Sequence, residues 1–233
     1  MLRDKLQKPA VHEIKFTISN SKAHQVIRWL THQCMPDPEF PEGAISSIYY
    51  DTRNWRFMAE KDNSDYLKMK IRLRWYSDLT LSKHDDVSFI EAKFKIGNRR
   101  EKFRMESPFS GKWLAGVPLH STKLLEISRL LRSQGIITEE VFPVFQISYK
   151  RFRFIEPLTR ARVCFDYDIT APRVNWSMLP KSNPFSLQTA VFEIKSALDE
   201  LPAPLYPLTD MGFRKSSFSK YQVCYRKIVG FNF

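Results

Sequence analysis

No run of about 18 apolar residues occurs in this chain of 233, which argues against a transmembrane helix. Cysteine is scarce. Cys34, Cys164 and Cys224 are odd in number and widely spaced, so they spell neither a zinc site nor a disulfide framework. They suit a reducing cytosol, and a cytoplasmic location is expected. The five histidines (His12, His24, His32, His84 and His120) are scattered and read as surface or core residues rather than metal ligands. No Ser-His-Asp or Cys-His nucleophile stands out, nothing repeats at a fixed period, and no segment is of low complexity. Met1-Leu2-Arg3-Asp4-Lys5 lacks the apolar stretch of a signal peptide. Acidic residues are also in short supply. Asp and Glu number 25 against 37 Lys and Arg, a formal net charge of +12. Such a field draws polyanions: nucleic acid, nucleotides, polyphosphate or acidic membranes. With 43% hydrophobic residues the chain can bury a sizeable core, and one domain over 1–233 is expected.

What is present is an alternation of cations with large apolar residues. It is clearest in Lys68-Met69-Lys70-Ile71-Arg72-Leu73-Arg74-Trp75. In a β-strand residues i and i+2 share a face. Lys68, Lys70, Arg72 and Arg74 therefore point one way, and Met69, Ile71, Leu73 and Trp75 the other. Four cations on one face need water or a polyanion there.

Similar alternation predicts strands over 11–18, 45–52, 66–76, 87–96, 99–106, 144–155, 160–170 and 190–196. Gly97-Asn98 reads as the turn between two of them, and Asp78 to Asp86 as a hairpin connection. Ala23, Val26, Ile27 and Leu30 are at helical spacing after the cap candidates Ser19-Asn20-Ser21. Leu124, Leu125, Ile127, Leu130 and Leu131 form a second helical stripe, stopped at Gly135. Residues 36–44 and 171–188 read as loops, Leu198 to Leu208 is broken by prolines, and 217–229 is a helix or a strand. Six strands segregate ions from apolar residues. An open sheet backed by helices accounts for that, and so does a closed barrel with a charged interior.

Several clusters could carry chemistry. Glu-x-Lys occurs three times, as Glu13/Lys15, Glu91/Lys93 and Glu193/Lys195. On such a face the carboxylate suits Mg²⁺ or Mn²⁺, and the ammonium suits the phosphate oxygens that the metal bridges. Solvated cross-strand ion pairs would give the same pattern for any single pair. Arg99, Arg100, Lys102 and Arg104 follow a turn and read as a solvated basic edge.

The ordered set Glu13-x-Lys15, Ser47-Ile-Tyr-Tyr-Asp-Thr52, Lys70-Ile-Arg-Leu-Arg74, Phe89-Ile-Glu-Ala-Lys93, Tyr149-Lys-Arg151, Arg162-Val-Cys-Phe-Asp166, Phe192-Glu-Ile-Lys195 and Phe218-Ser-Lys-Tyr221 resembles the VTC domain. That domain is the polyphosphate polymerase branch of the triphosphate tunnel metalloenzymes (CYTH-like). The resemblance spans roughly residues 10–226. It implies an α+β fold, a closed antiparallel β-barrel of about eight strands with a charged lumen and helices packed outside. It also implies ATP and polyphosphate as ligands, a divalent cation (Mn²⁺ or Mg²⁺), and transfer of the γ-phosphate of ATP to a growing chain. Carried over by motif, Arg72, Arg74 and Lys93 are the catalytic set. Lys15, Lys70, Tyr149, Arg151, Arg162, Lys195 and Lys220 join them on the phosphates, and Glu193 holds the metal. Hydrolytic relatives carry Glu-x-Glu-x-Lys on the first strand; here position 11 is Val, which favours the polymerase branch. A triphosphate hydrolase and a non-catalytic module binding polyphosphate, inositol phosphates or RNA are the alternatives. The aromatics lack the interleaving of RNA-binding sheets, so nucleic acid is not expected. A membrane partner protein is compatible with the sequence. Losing one cation from so dense a cluster is expected to relieve repulsion, so that Arg72→Ala or Arg74→Ala removes activity and leaves the fold intact.

Overall fold

The computed structural model describes residues 12–63, 65–97, 99–197 and 200–230. The sequence readings that fall on Met1–Lys5, Val11, Asn98 and Leu198 lie outside the described residues. The strands are β1 (His12–Ser19), β2 (Met35–Pro36), β3 (Glu42–Asp51), β4 (Leu67–Ser77), β5 (His84–Ile96), β6 (Arg99–Glu106), β7 (Phe142–Ile155), β8 (Arg162–Ala171), β9 (Phe185–Ser186), β10 (Thr189–Ser196) and β11 (Arg214–Lys215). The α-helices are α1 (Ala23–Gln33), α2 (Arg56–Asp62), α3 (Gly111–Gly116), α4 (Glu126–Ser133), α5 (Pro207–Asp210) and α6 (Lys220–Ile228). The fold is α+β with an antiparallel sheet. Among the described residues no helix is long and apolar enough to cross a membrane.

The expected closed barrel of about eight strands needs correction. Eleven strands are present among the described residues, and the hydrogen-bonded order β11-β1-β10-β8-β7-β3-β4-β5-β6 has two ends, with β2 on β7 and β9 on β8. The sheet does not close. The two end strands account for this. β11 is two residues long, and β6 presents a mostly exposed, charged edge, which discourages a further strand. Alternation assigns a residue to a face; it carries no information on which strands lie at the ends.

The chain divides into two compact units. The first takes the segments up to Glu42, Arg151–Tyr167 and Gln188–Phe218; the second takes Gly43–Lys150, Asp168–Leu187 and the chain from Ser219 onward. In the first unit β1 pairs with β10, and β10 with β8. Ile14, Phe16, Ile18, Phe165, Phe192 and Ile194 share a core with Ala23, Val26 and Leu30 of α1. The predicted helical stripe is thus the buried stripe. Cys34 lies just past α1 in this core, and burial, helped by the charge of Glu156, pushes its thiol up to about 11.

In the second unit β3, β4, β5 and β6 are consecutive neighbours. Ile48, Ile71, Leu73, Trp75, Ile90 and Ala92 pack with Leu114 of α3, Ile127 and Leu131 of α4, and Leu124 just before it. Gly135 follows α4 with φ +66°, the left-handed stop expected of it. Three α-helices lie where the sequence reading had none: α2, α3 and the four-residue α5. α2 begins after Trp55, held left-handed at φ 57°, and Asp51 accepts hydrogen bonds from the backbone N–H of Phe57 (2.9 Å) and Met58 (3.1 Å). A side chain five residues before the helix thus caps it. α3 is six residues long, with the Ser110 hydroxyl accepting from the Trp113 N–H at 3.2 Å. The undecided segment 217–229 is helical as α6, capped by Ser219. Its Tyr221 donates to Asp51 at 2.6 Å and stacks on Tyr49 with ring centroids 4.9 Å apart.

Candidate functional site

The designated residues fall into two groups, one on each unit. In the second unit the strand registers assemble cross-strand rows on the face turned away from the core. Lys68, Lys95 and Arg100 form one row, and Lys70, Lys93 and Lys102 the next. Arg72, Glu91 and Arg104 form the third; Arg74, Phe89 and Glu106 form the fourth. Tyr49 and Ser47 on β3 stand opposite Arg72 and Arg74.

Glu91 is the centre of this arrangement. It is 1% exposed. The Arg72 guanidinium donates to its Oε2 from Nε at 2.7 Å and from Nη2 at 2.5 Å. Lys102 Nζ lies 2.9 Å from Oε1, Arg74 Nη1 3.7 Å from Oε2, and Arg104 Nε 3.8 Å from Oε1. Burial pushes the Glu91 carboxyl up, but the charges of Arg72 and Arg74 and the hydrogen bonds of Lys102 and Arg72 overcome it, so the group is held well below the usual carboxylate range. One carboxylate cannot neutralise four cations, and the face retains net positive charge.

The cations are not equally engaged. Arg72 is committed to Glu91, with a longer contact to the Tyr49 hydroxyl at 3.5 Å. Arg74 is buried at 8% exposure, yet its contacts are loose: 3.4 Å to the Ser47 hydroxyl, 3.4 Å to the Tyr149 hydroxyl and 3.7 Å to Glu91. Lys70 donates to the Ser219 hydroxyl at 2.8 Å. Lys220 places its ammonium 4.6 Å from the centroid of the Tyr149 ring. Lys93 is exposed, directly between Lys70 and Lys102.

In the first unit, Lys15 opposes Glu193 and Glu13 opposes Lys195 across β1 and β10. The four side chains interlock. Lys15 Nζ is 2.7 Å from Glu13 and 3.6 Å from Glu193, while Lys195 Nζ is 3.1 Å from Glu193 and 3.8 Å from Glu13. Burial raises the Glu193 carboxyl, but Lys15, Lys195 and Arg151 outweigh it and bring it down to about 2. Beside them Arg151 makes a two-pronged bond to the fully buried Asp166, at 2.5 and 2.7 Å. Arg162 is exposed, opposite Lys195.

Among the described residues, no group of three or more His, Cys, Asp or Glu side chains is placed to hold a metal ion. The donor chemistry nevertheless fits a hard divalent cation. Glu13 and Glu193 are oxygen donors sharing the same two lysines, and Mg²⁺ is commonly held by one or two carboxylates with substrate phosphates completing its shell.

Three members of this arrangement were undervalued by the sequence reading. Glu91 passed as one Glu-x-Lys among three, and Lys102 and Arg104 as a solvated edge. The signal was the turn at Gly97: pairing β5 to β6 across it sets Arg104 opposite Glu91 and Lys102 opposite Lys93. Asp166 likewise serves Arg151 rather than Arg162, its near neighbour in sequence.

A model of the VTC domain family matches residues 10–229. No curated protein matches the chain. Among solved structures, the PH1819 protein of Pyrococcus horikoshii OT3 is similar at 11% identity with a TM-score of 0.50, over 93% of this chain and 99% of that one. A Vibrio parahaemolyticus protein provisionally named an adenylate cyclase is similar at 13% identity with a TM-score of 0.49, over 96% of this chain and 99% of that one. At such identity the likeness to the Pyrococcus protein concerns the fold alone.

Proposed function

We propose that this chain, which belongs to the VTC domain family, is an ATP-dependent polyphosphate polymerase, transferring the γ-phosphate of ATP to a growing polyphosphate chain. The observation that carries the reading is the set of cross-strand cationic rows around one buried carboxylate, an arrangement suited to a linear polyanion. Phosphoryl transfer of this kind needs positioning and charge neutralisation more than a protein nucleophile. Arg74 and Lys93 contact the phosphate oxygens, with Lys70, Tyr149 and Lys220 beside them. Arg72 is oriented by Glu91 and presents its remaining N–H groups. Lys15, Arg151, Arg162 and Lys195 serve phosphates on the first unit. The acceptor is the terminal phosphate of the chain, already anionic at neutral pH, so strong general-base catalysis is not required. Glu193, with Glu13, would hold Mn²⁺ or Mg²⁺, which when bound neutralises phosphate oxygens. The family match extends through both units and supports treating 1–233 as one VTC-type domain.

The test is incubation with ATP and Mn²⁺, with ADP, free phosphate and polymer quantified in one reaction. ADP and polymer with little free phosphate is the expected result, because Val11 removes the second first-strand carboxylate that a water-activating metal would use. Stoichiometric free phosphate without polymer would indicate a hydrolase. Tight, salt-sensitive polyphosphate binding without turnover would indicate a sensor. In the same assay Glu193→Gln, which keeps shape and removes charge, is expected to lose activity or to require roughly tenfold more Mn²⁺. An unchanged metal titration would move the ligand elsewhere, with Glu13 and Glu91 next in line.

A further inference from the structure

The four rows on β4, β5 and β6 are not alike. Three of them contain either Glu91, a bond to it, or an acidic side chain: Arg72/Glu91/Arg104, Arg74/Phe89/Glu106, and the Lys70/Lys93/Lys102 row through Lys102. The row Lys68/Lys95/Arg100 has none. Among the described residues, no carboxylate lies within ion-pair distance of Lys68, Lys95 or Arg100, although register sets Lys95 opposite both of the others. Like charges directly opposed across strands are destabilising. A further cation adjoins them. Burial first, and then the charges of Lys68 and Lys95, pull the pKa of Lys61 on α2 downward. A bound anion would relieve that repulsion.

Resting on the polymerase reading, we propose that Lys68, Lys95 and Arg100 form a distal subsite holding the polyphosphate chain beyond the reacting phosphates. Two residues along a strand span about 6.6–6.8 Å, so this row lies about four residues along β5 from the Glu91 row, past the reach of a triphosphate centred there. The subsite therefore distinguishes long chains from short ones. Polyphosphate fits better than RNA, because neither this row nor the Lys70/Lys93/Lys102 row carries an aromatic side chain, and the exposed Tyr66 just before Lys68 offers one ring rather than the succession of rings on which bases stack.

The test compares wild type with the double variant Lys68→Gln, Lys95→Gln, and with Arg100→Gln alone in case the double variant folds poorly. Affinities for tripolyphosphate and for polyphosphate of about 100 units are measured over a salt series. The subsite predicts an unchanged tripolyphosphate affinity (within about twofold), a roughly tenfold loss for the long chain, and a shallower salt dependence for the long chain by about one to two ions. Equal losses for both ligands, or none for the long chain, overturn it. Wild type that binds tripolyphosphate but gains nothing from chain length overturns the subsite alone, whereas wild type that binds neither sinks the polymerase reading with it. An equal loss for single-stranded RNA overturns the assignment to polyphosphate.

Discussion

Glu91→Gln lowers the melting temperature by about 6–12 °C and leaves polymer formation undetectable. The carboxylate is 1% exposed and shared by Arg72, Arg74, Lys102 and Arg104. Removing its charge leaves mutually repelling cations, two of them largely buried, where breaking a buried pair costs about 3 kcal/mol or more. For a chain of this size each kcal/mol shifts the midpoint by about 2–4 °C. Added tripolyphosphate restores part of the loss by supplying negative charge to the same cations, so melting is measured with and without it. A variant that melts with wild type would mean that Glu91 does not hold the rows together.

Arg74→Ala separates activity from stability. Arg74 makes no contact shorter than 3.4 Å in the contacts described above, so its charge is presented rather than consumed. Loss of one charge-stabilising donor from a transfer site costs on the order of 10²–10³ in turnover. The melting temperature is expected to move by less than about 3 °C, since Arg72 and Lys102 still satisfy Glu91. Turnover within threefold of wild type would remove Arg74 from the site. Arg72→Ala is the counterpart, and here the sequence expectation needs revision. Truncation there does not simply relieve repulsion: it takes two short hydrogen bonds from a buried carboxylate and destabilises the protein.

The contrast shows where sequence reading succeeds. The faces of β4 follow from the alternation of Lys68 to Trp75 alone, because a strand has period two and nothing competes with it. α1 and the stop at Gly135 follow equally from spacing and backbone preference. Partnerships do not. Arg72 and Arg74 look equivalent along the chain, and only the register with β5 gives Glu91 to one of them in full. α2 was hidden because its cap, Asp51, sits at the end of a strand and its entry residue, Trp55, takes a left-handed conformation that a bulky side chain rarely adopts. Closure of the sheet was equally beyond reach, since it depends on what the edges of β6 and β11 meet.

The buried cysteines turn the molecule into its own timekeeper. Cys34 lies in the first unit and Cys224, on α6, in the second. Burial holds Cys34 at about 11 and Cys224 at about 12, so neither exists as the reactive thiolate while its surroundings are intact. A thiol reagent therefore modifies each one only when its own unit opens. Peptide mapping after timed exposure to mild denaturant yields two independent opening rates from one unlabelled protein. Matching rates would mean that the units open as a single cooperative block. A faster Cys34 or Cys224 would identify which half of the cationic machinery loosens first.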